Sequence, residues 1–207
     1  DLNPGTVLRT IRPAFLNENQ GGILEGLTFD GTGLWLTAIR VGTTVNMLTR
    51  IDPVTGQRIA PFDSGSLGTA GKAITPGTIT QGLLYEPPSG GRTYGYLWHS
   101  DVGTNKLYKL DIARLYDADP SNDNNLSVAE FSVTFVPKGM DWKGDKIWVA
   151  SPQNGIYEFN PANGATTTGT QIQRSQALGN RLAAGTYYVG ITSQSATSTW
   201  RQEVSSV

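Results

Sequence analysis

The apolar residues of this chain fall in short runs separated by polar turns. Leu34-Trp35-Leu36, Tyr96-Leu97-Trp98 and Lys146-Ile147-Trp148-Val149-Ala150 are aromatic or β-branched runs bounded by Gly, Asp and Asn, the pattern of strands. Phe29-Asp30-Gly31-Thr32 and Trp142-Lys143-Gly144-Asp145 lie before two of them and read as hairpin turns, with Gly supplying positive φ. Helical spacing is nearly absent; Asp111-Ile112-Ala113-Arg114-Leu115-Tyr116 predicts one or two turns.

The runs are ordered into a unit that occurs three times. Each copy opens with Gly and an apolar residue (Gly26-Leu27, Gly82-Leu83, Gly139-Met140), passes a turn, and reaches a Trp-bearing strand. A further strand then closes near an Asp or Asn, at Ile51-Asp52, Leu110-Asp111 and Phe159-Asn160. The opening glycines recur at an interval of 56 to 57 residues. A repeat of this length built from short strands and turns predicts the blades of a β-propeller. Leu2-Asn3-Pro4-Gly5 aligns with Ile51-Asp52-Pro53-Val54-Thr55-Gly56, so residues 1–12 read as the outer strand of a blade whose start is missing. Residues 63–81, rich in Gly, Ser and Thr, read as a lengthened loop between blades. The expected fold is all-β: an incomplete propeller of about three blades and an extra strand over residues 1–173, then β-sandwich-like or linking strands over 174–207. Known propellers close with roughly four to eight blades, so about three call for a complement.

The Asp-Pro-x-Thr-Gly turn at Asp52 to Gly56 and the Gly-x-x-x-x-Gly-x-x-x-Trp hairpin that begins at Gly26 resemble the propeller superfamily of the quinoprotein, NHL and SMP-30 type. That superfamily includes lactonases and dehydrogenases as well as binding and scaffold domains, so the resemblance implies the blade rather than an activity. Leu182 to Val189 reproduces the Leu-x-x-Gly-Thr-Tyr-Tyr-Val strand of bacterial pre-peptidase C-terminal domains, which are small secreted β-sandwiches. Together the two resemblances imply a segment of a larger secreted, modular protein.

Composition narrows the partners. The 16 Lys and Arg against 17 Asp and Glu leave no basic stripe for phosphates, which disfavours nucleic acid. No apolar run is long enough to span a bilayer. With no Cys, disulfides, thiolate metal sites and Cys nucleophiles are excluded. The surface vocabulary of Thr, Ser, Asn, Gly and Gln points to an extracellular or cell-surface setting. Asp1-Leu2-Asn3-Pro4 has neither the basic start nor the apolar stretch of a signal peptide, as expected of a mature or excised chain.

The sharpest chemical candidate is the stretch from Asp119 to Glu130. An EF-hand-type loop places oxygen ligands at positions 1, 3, 5, 9 and 12 and a backbone carbonyl at 7. Here these are Asp119, Ser121, Asp123, Ser127 and Glu130, with Asn125 at 7, a set suited to Ca²⁺. Pro120 and the strand-like Phe131-Ser132-Val133-Thr134-Phe135 depart from the pattern, and a solvated Asp/Asn-rich insertion is the competing reading. His99 is the sole histidine. Its neighbours Ser100 and Asp101 alternate in direction on a strand, so no Ser-His-Asp triad is expected. Trp35, Trp98 and Trp148 hold one place in the repeat, which favours packing between blades over ligand stacking.

The expectation is a non-enzymatic structural or adhesive module of a cell-surface or filament-forming protein, partnered by copies of itself or by neighbouring domains. Its open sheet edges would need covering. A lactonase- or quinoprotein-like enzyme and a carbohydrate-binding propeller with a glycan ligand are the alternatives.

Overall fold

A computed structural model describes residues 10–11, 22–40, 46–63, 72–73, 79–117, 119, 121, 125–152 and 155–168. The chain divides into two units, Asp1–Gln173 and Arg174–Val207. The second unit, with the strand expected at Leu182 to Val189, lies outside the described residues, as does most of the extra strand expected over residues 1–12.

The first unit is all-β, in three antiparallel four-stranded sheets, each formed from consecutive strands. Sheet I contains β1 (Gly22–Phe29), β2 (Leu34–Arg40), β3 (Asn46–Ile51) and β4 (Lys72–Ala73). Sheet II contains β5 (Thr80–Glu86), β6 (Tyr96–Asp101), β7 (Lys106–Asp111) and β8 (Ser127–Ser132). Sheet III contains β9 (Met140–Lys143), β10 (Lys146–Ser151), β11 (Gly155–Phe159) and β12 (Thr166–Thr168). A single 3-10 turn, Ile112–Leu115, follows β7, and Asp111 caps it by accepting the Ala113 N–H at 3.1 Å.

The hairpin turns form where Gly permits them. Gly31 has φ 98° and Gly144 has φ 60°, a region that costs L side chains energy. Asp30 and Asp52 also anchor their turns, with Oδ1 accepting the backbone N–H groups two and three residues on. The reading of residues 63–81 as a connecting loop needs correction. The segment after Asp52-Pro53-Val54-Thr55-Gly56 makes only an isolated Ile51–Arg58 bridge before Pro61, which has no N–H to give to a ladder. The fourth strand of sheet I is instead Lys72–Ala73, within the stretch read as a connecting loop.

The first strands of neighbouring sheets run side by side, β1 along β5 and β5 along β9. Glycine makes this close approach feasible. A Cβ on Gly82 would lie 2.3 Å from the Lys138 carbonyl oxygen, and one on Gly26 would lie 2.9 Å from the Leu83 Cβ. The Tyr85 N–H donates to Thr28 Oγ1 at 3.0 Å, and Trp142 Nε1 donates to the Tyr85 carbonyl at 2.8 Å.

The core consists of what lies between the sheets. Trp35 and Leu48 of sheet I pack with Leu83, Leu97, Tyr108 and Leu110 of sheet II. Leu84, Trp98 and Leu107 of sheet II pack with Ile147, Val149 and Phe159 of sheet III. Trp35 and Trp98 are fully buried at these two junctions, the packing role that their recurrence in the sequence indicated. Sheet II thus buries one alternation of its strands against sheet I and the other against sheet III.

Candidate functional site

Strand register makes the three repeats comparable residue by residue. Trp35 pairs with Thr28 and Arg50, Trp98 with Leu84 and Lys109, and Trp148 with Asp141 and Glu158. Each Trp therefore stands at one position, beside a charged residue four places beyond the opening glycine: Asp30, Glu86 or Lys143.

In sheet I the Asp30 carboxylate accepts from Trp35 Nε1 and from Arg50 Nε, both at 2.7 Å. Burial alone would raise the Asp30 pKa. Hydrogen bonds from Arg50, Gly33 and Thr32 outweigh that and hold it well below the ordinary carboxylate range. In sheet II, Glu86 accepts from Trp98 Nε1 at 2.6 Å and from Lys109 Nζ at 2.9 Å. Sheet III keeps the constellation with the signs exchanged: Lys143 Nζ lies 4.2 Å over the Trp148 ring, and Glu158 holds the cation's register position.

A second set lies one residue before each opening glycine. β-bulges at Glu25 and Gln81 break the register of β1 with β2 and of β5 with β6. Gln81 Nε2 donates to Glu25 Oε2 at 2.7 Å, and Lys138 Nζ donates to Gln81 Oε1 at 2.8 Å. The three half-buried side chains form a carboxylate–amide–ammonium ladder across the first strands. Burial raises the Glu25 pKa, and the Gln81 hydrogen bond and the Lys138 charge partly offset this. The ladder ties the first strands of the three sheets together through one carboxylate, one amide and one ammonium. In the sequence its only signal is the place before each repeat glycine, because the bulges that line these residues up carry no residue signature.

The proposed calcium ligands are placed apart from either set. Asp119 Oδ1 accepts from Ser121 N at 3.0 Å and from Ser121 Oγ at 2.6 Å. Asn125 Oδ1 accepts the Ser127 N–H at 3.2 Å, and the Asn125 carbonyl, wanted for a cation at position 7, accepts from the Arg114 guanidinium. Ser127 opens β8, and Glu130 on that strand pairs with Lys106 Nζ at 2.9 Å. Asp123 lies outside the described residues. Among the described residues no three His, Asp or Glu side chains gather as a metal site. A guanidinium thus meets the Asn125 carbonyl and an ammonium meets Glu130.

His99 is fully buried, its ring stacked on Tyr108 at 4.7 Å. Ser100 leaves the opposite face and donates to the Lys138 carbonyl. Asp101 accepts from Ile79 N and Thr104 N, at 2.7 and 2.8 Å. No triad forms. A shallow cleft of about 340 Å³ is lined by Arg92, Thr93, Tyr94, Ala113, Tyr116 and Asp117. Tyr94 and Tyr116 stack on one another there at 4.1 Å, and burial pushes the Tyr116 hydroxyl up to about 12.

No protein-family model matches the chain, and no curated protein matches its sequence. Among solved structures, KlHsv2 with loop 6CD replaced by a Gly-Ser linker is similar over 72% of this chain and 39% of its own, at 10% identity and a TM-score of 0.40. The computationally designed Ika8 protein is similar over 70% of this chain and 48% of its own, at 9% identity and a TM-score of 0.32. The chain thus spans less than half the length of either structure. Scores this low assign no fold.

Proposed function

We propose that this chain is a run of propeller blades serving as a non-enzymatic structural or adhesive module of an extracellular assembly. The observation that carries the reading is the apolar row that β1 leaves exposed on the side of sheet I turned away from sheet II, where Ile11 packs on Leu36, Ala38 and Ile51 but the β1 row stays open. Leu24, Leu27 and Phe29, all on one side of β1, are 42%, 59% and 53% exposed. Leu83 stands where Leu27 does in its own repeat, and it is 4% exposed because sheet I covers it. An apolar row of the kind that is covered at both internal junctions is the signature of a surface meant to be covered. The extracellular setting is supported by the Cys-free, Thr- and Asn-rich composition and by the likeness of Leu182 to Val189 to secreted β-sandwich domains.

Enzyme readings are less well supported, because Asp30 and Glu86 are tied to Trp and to cations at packing positions and Asp101 accepts from the backbone N–H groups of Ile79 and Thr104. A glycan-binding reading has one observation in its favour, the cleft beside Arg92 and Tyr116. Native mass spectrometry with and without chelator tests the proposal. The expected result is particles heavier than the 22.2 kDa chain, with a mass that chelation leaves unchanged. A single chain at every concentration would overturn the structural reading.

A further inference from the structure

One motif belongs to neither repeating set. Asn125-Leu126-Ser127 is the single Asn-x-Ser/Thr triplet of the chain, and its middle residue is not Pro. In a secreted protein such a triplet is the acceptor of a glycan on the Asn amide. Asp123, two places earlier, supplies the acidic residue that bacterial transferases of this class also select.

The fold presents the triplet in the form this chemistry needs. Leu126 is fully buried, and its carbonyl accepts the Asp111 N–H at 2.8 Å, which pins the middle residue to β7. Asn125 beside it is exposed. Its Oδ1 accepts the Ser127 N–H at 3.2 Å, so the amide oxygen turns toward the backbone and Nδ2 turns away. Among the described residues, Nδ2 donates to none. The Ser127 hydroxyl makes only a long bond to the Ala129 carbonyl, at 3.3 Å, and can surrender it to a transferase. The triplet ends the connection from β7 to β8, which occupies residues 112–126, whereas the matching connection of sheet III occupies only 160–165. Bulk attached to the exposed Asn125 therefore extends into solvent.

We propose that Asn125 carries an N-linked glycan. Nδ2 forms a bond to the anomeric carbon of a sugar delivered as a lipid-linked glycosyl pyrophosphate. The bond from that carbon to the phosphate oxygen breaks, the pyrophosphate leaves with the electron pair, and one amide proton passes to a base on the transferase. The proposal rests on the extracellular reading above, because the transfer acts on chains exported from the cytosol. It also gives the glycan a task. β8 is the outer strand of sheet II, and an open strand edge is a template for unwanted pairing. A glycan rooted immediately before β8 shields that edge.

Peptide mapping of the chain recovered from its native source tests this. Trypsin releases Leu115 to Lys138 as one peptide. Electron-transfer fragmentation is expected to place a saccharide mass on Asn125 and to find Asn122 and Asn124 bare. Asn125→Gln and Ser127→Ala made in the same host are expected to lose the saccharide completely, and Ser127→Thr to retain it. Far-UV circular dichroism identifies a variant that has failed to fold, and the wild-type map needs no variant. The purified, folded chain is also expected to accept a sugar at Asn125 from a bacterial oligosaccharyltransferase supplied with polyprenyl pyrophosphate-linked N-acetylhexosamine. A folded chain that accepts none would overturn the geometric argument. A bare peptide from chains found outside the cell would overturn the glycan and leave the extracellular reading standing. A bare peptide from chains confined to the cytosol would overturn both. A saccharide that persists in Ser127→Ala would overturn its assignment to the triplet.

Discussion

Asp30 concentrates more of the local physics than any other side chain described. It caps its own turn through Thr32 and Gly33, fixes the Trp35 indole, and neutralises Arg50, whose side chain is 11% exposed. Removing one partner of such a buried pair leaves the other charge uncompensated, so Asp30→Asn should cost about 3 kcal/mol. The pH dependence has a definite sign. The folded-state pKa lies below the ordinary aspartate value of 3.8, so the stabilisation is complete above that value and is lost as pH falls through it toward the folded pKa. Urea unfolding of wild type between pH 7 and pH 2 should show an acid-side loss that Asp30→Asn lacks. Equal acid slopes for the two proteins would refute this role. The sequence identified Asp30 as a turn residue; its hold on Trp35 and Arg50 required the register of three strands, which spacing along the chain does not reveal.

At the scale of elements, the repeating glycines mark where neighbouring first strands touch. Gly82→Ala drives a methyl group into the Lys138 carbonyl, and backbone cannot yield there as a flexible side chain can. A cost of about 2 to 3 kcal/mol is expected, read as a lowered thermal midpoint. An unchanged midpoint would mean that β5 and β9 are free to separate. Central strands were legible because Leu34-Trp35-Leu36 and Ile147-Trp148-Val149 are strongly apolar and end at Gly or Asp turns. Outer strands were not. β4 has two residues, and β8 alternates half-buried and exposed residues, so neither offers an apolar run. Ser127 and Glu130, read in the sequence as members of a cation loop, both lie on β8. Glu130 is chemically suited to a cation, and the one it meets is Lys106.

At the scale of the whole first unit, the central claim is that the face of sheet I bearing Leu27 and Phe29 is covered in the working protein. Three of the five large apolar residues exposed among those described lie on that side of β1. Among the described residues no other strand shows such a concentration, and contiguous apolar exposure of this kind supports the proposed interface more than scattered exposure would. The most direct measurement is hydroxyl-radical footprinting of side chains over a dilution series, with Val54 as the internal reference. Val54 and Leu27 are each 59% exposed in the single chain, but Val54 lies in the Asp52 turn, away from the apolar row. The account predicts that at high concentration Leu27 and Phe29 are protected while Val54 is oxidised freely, and that dilution restores their reactivity. Leu27 and Val54 oxidised to the same extent at every concentration would contradict it.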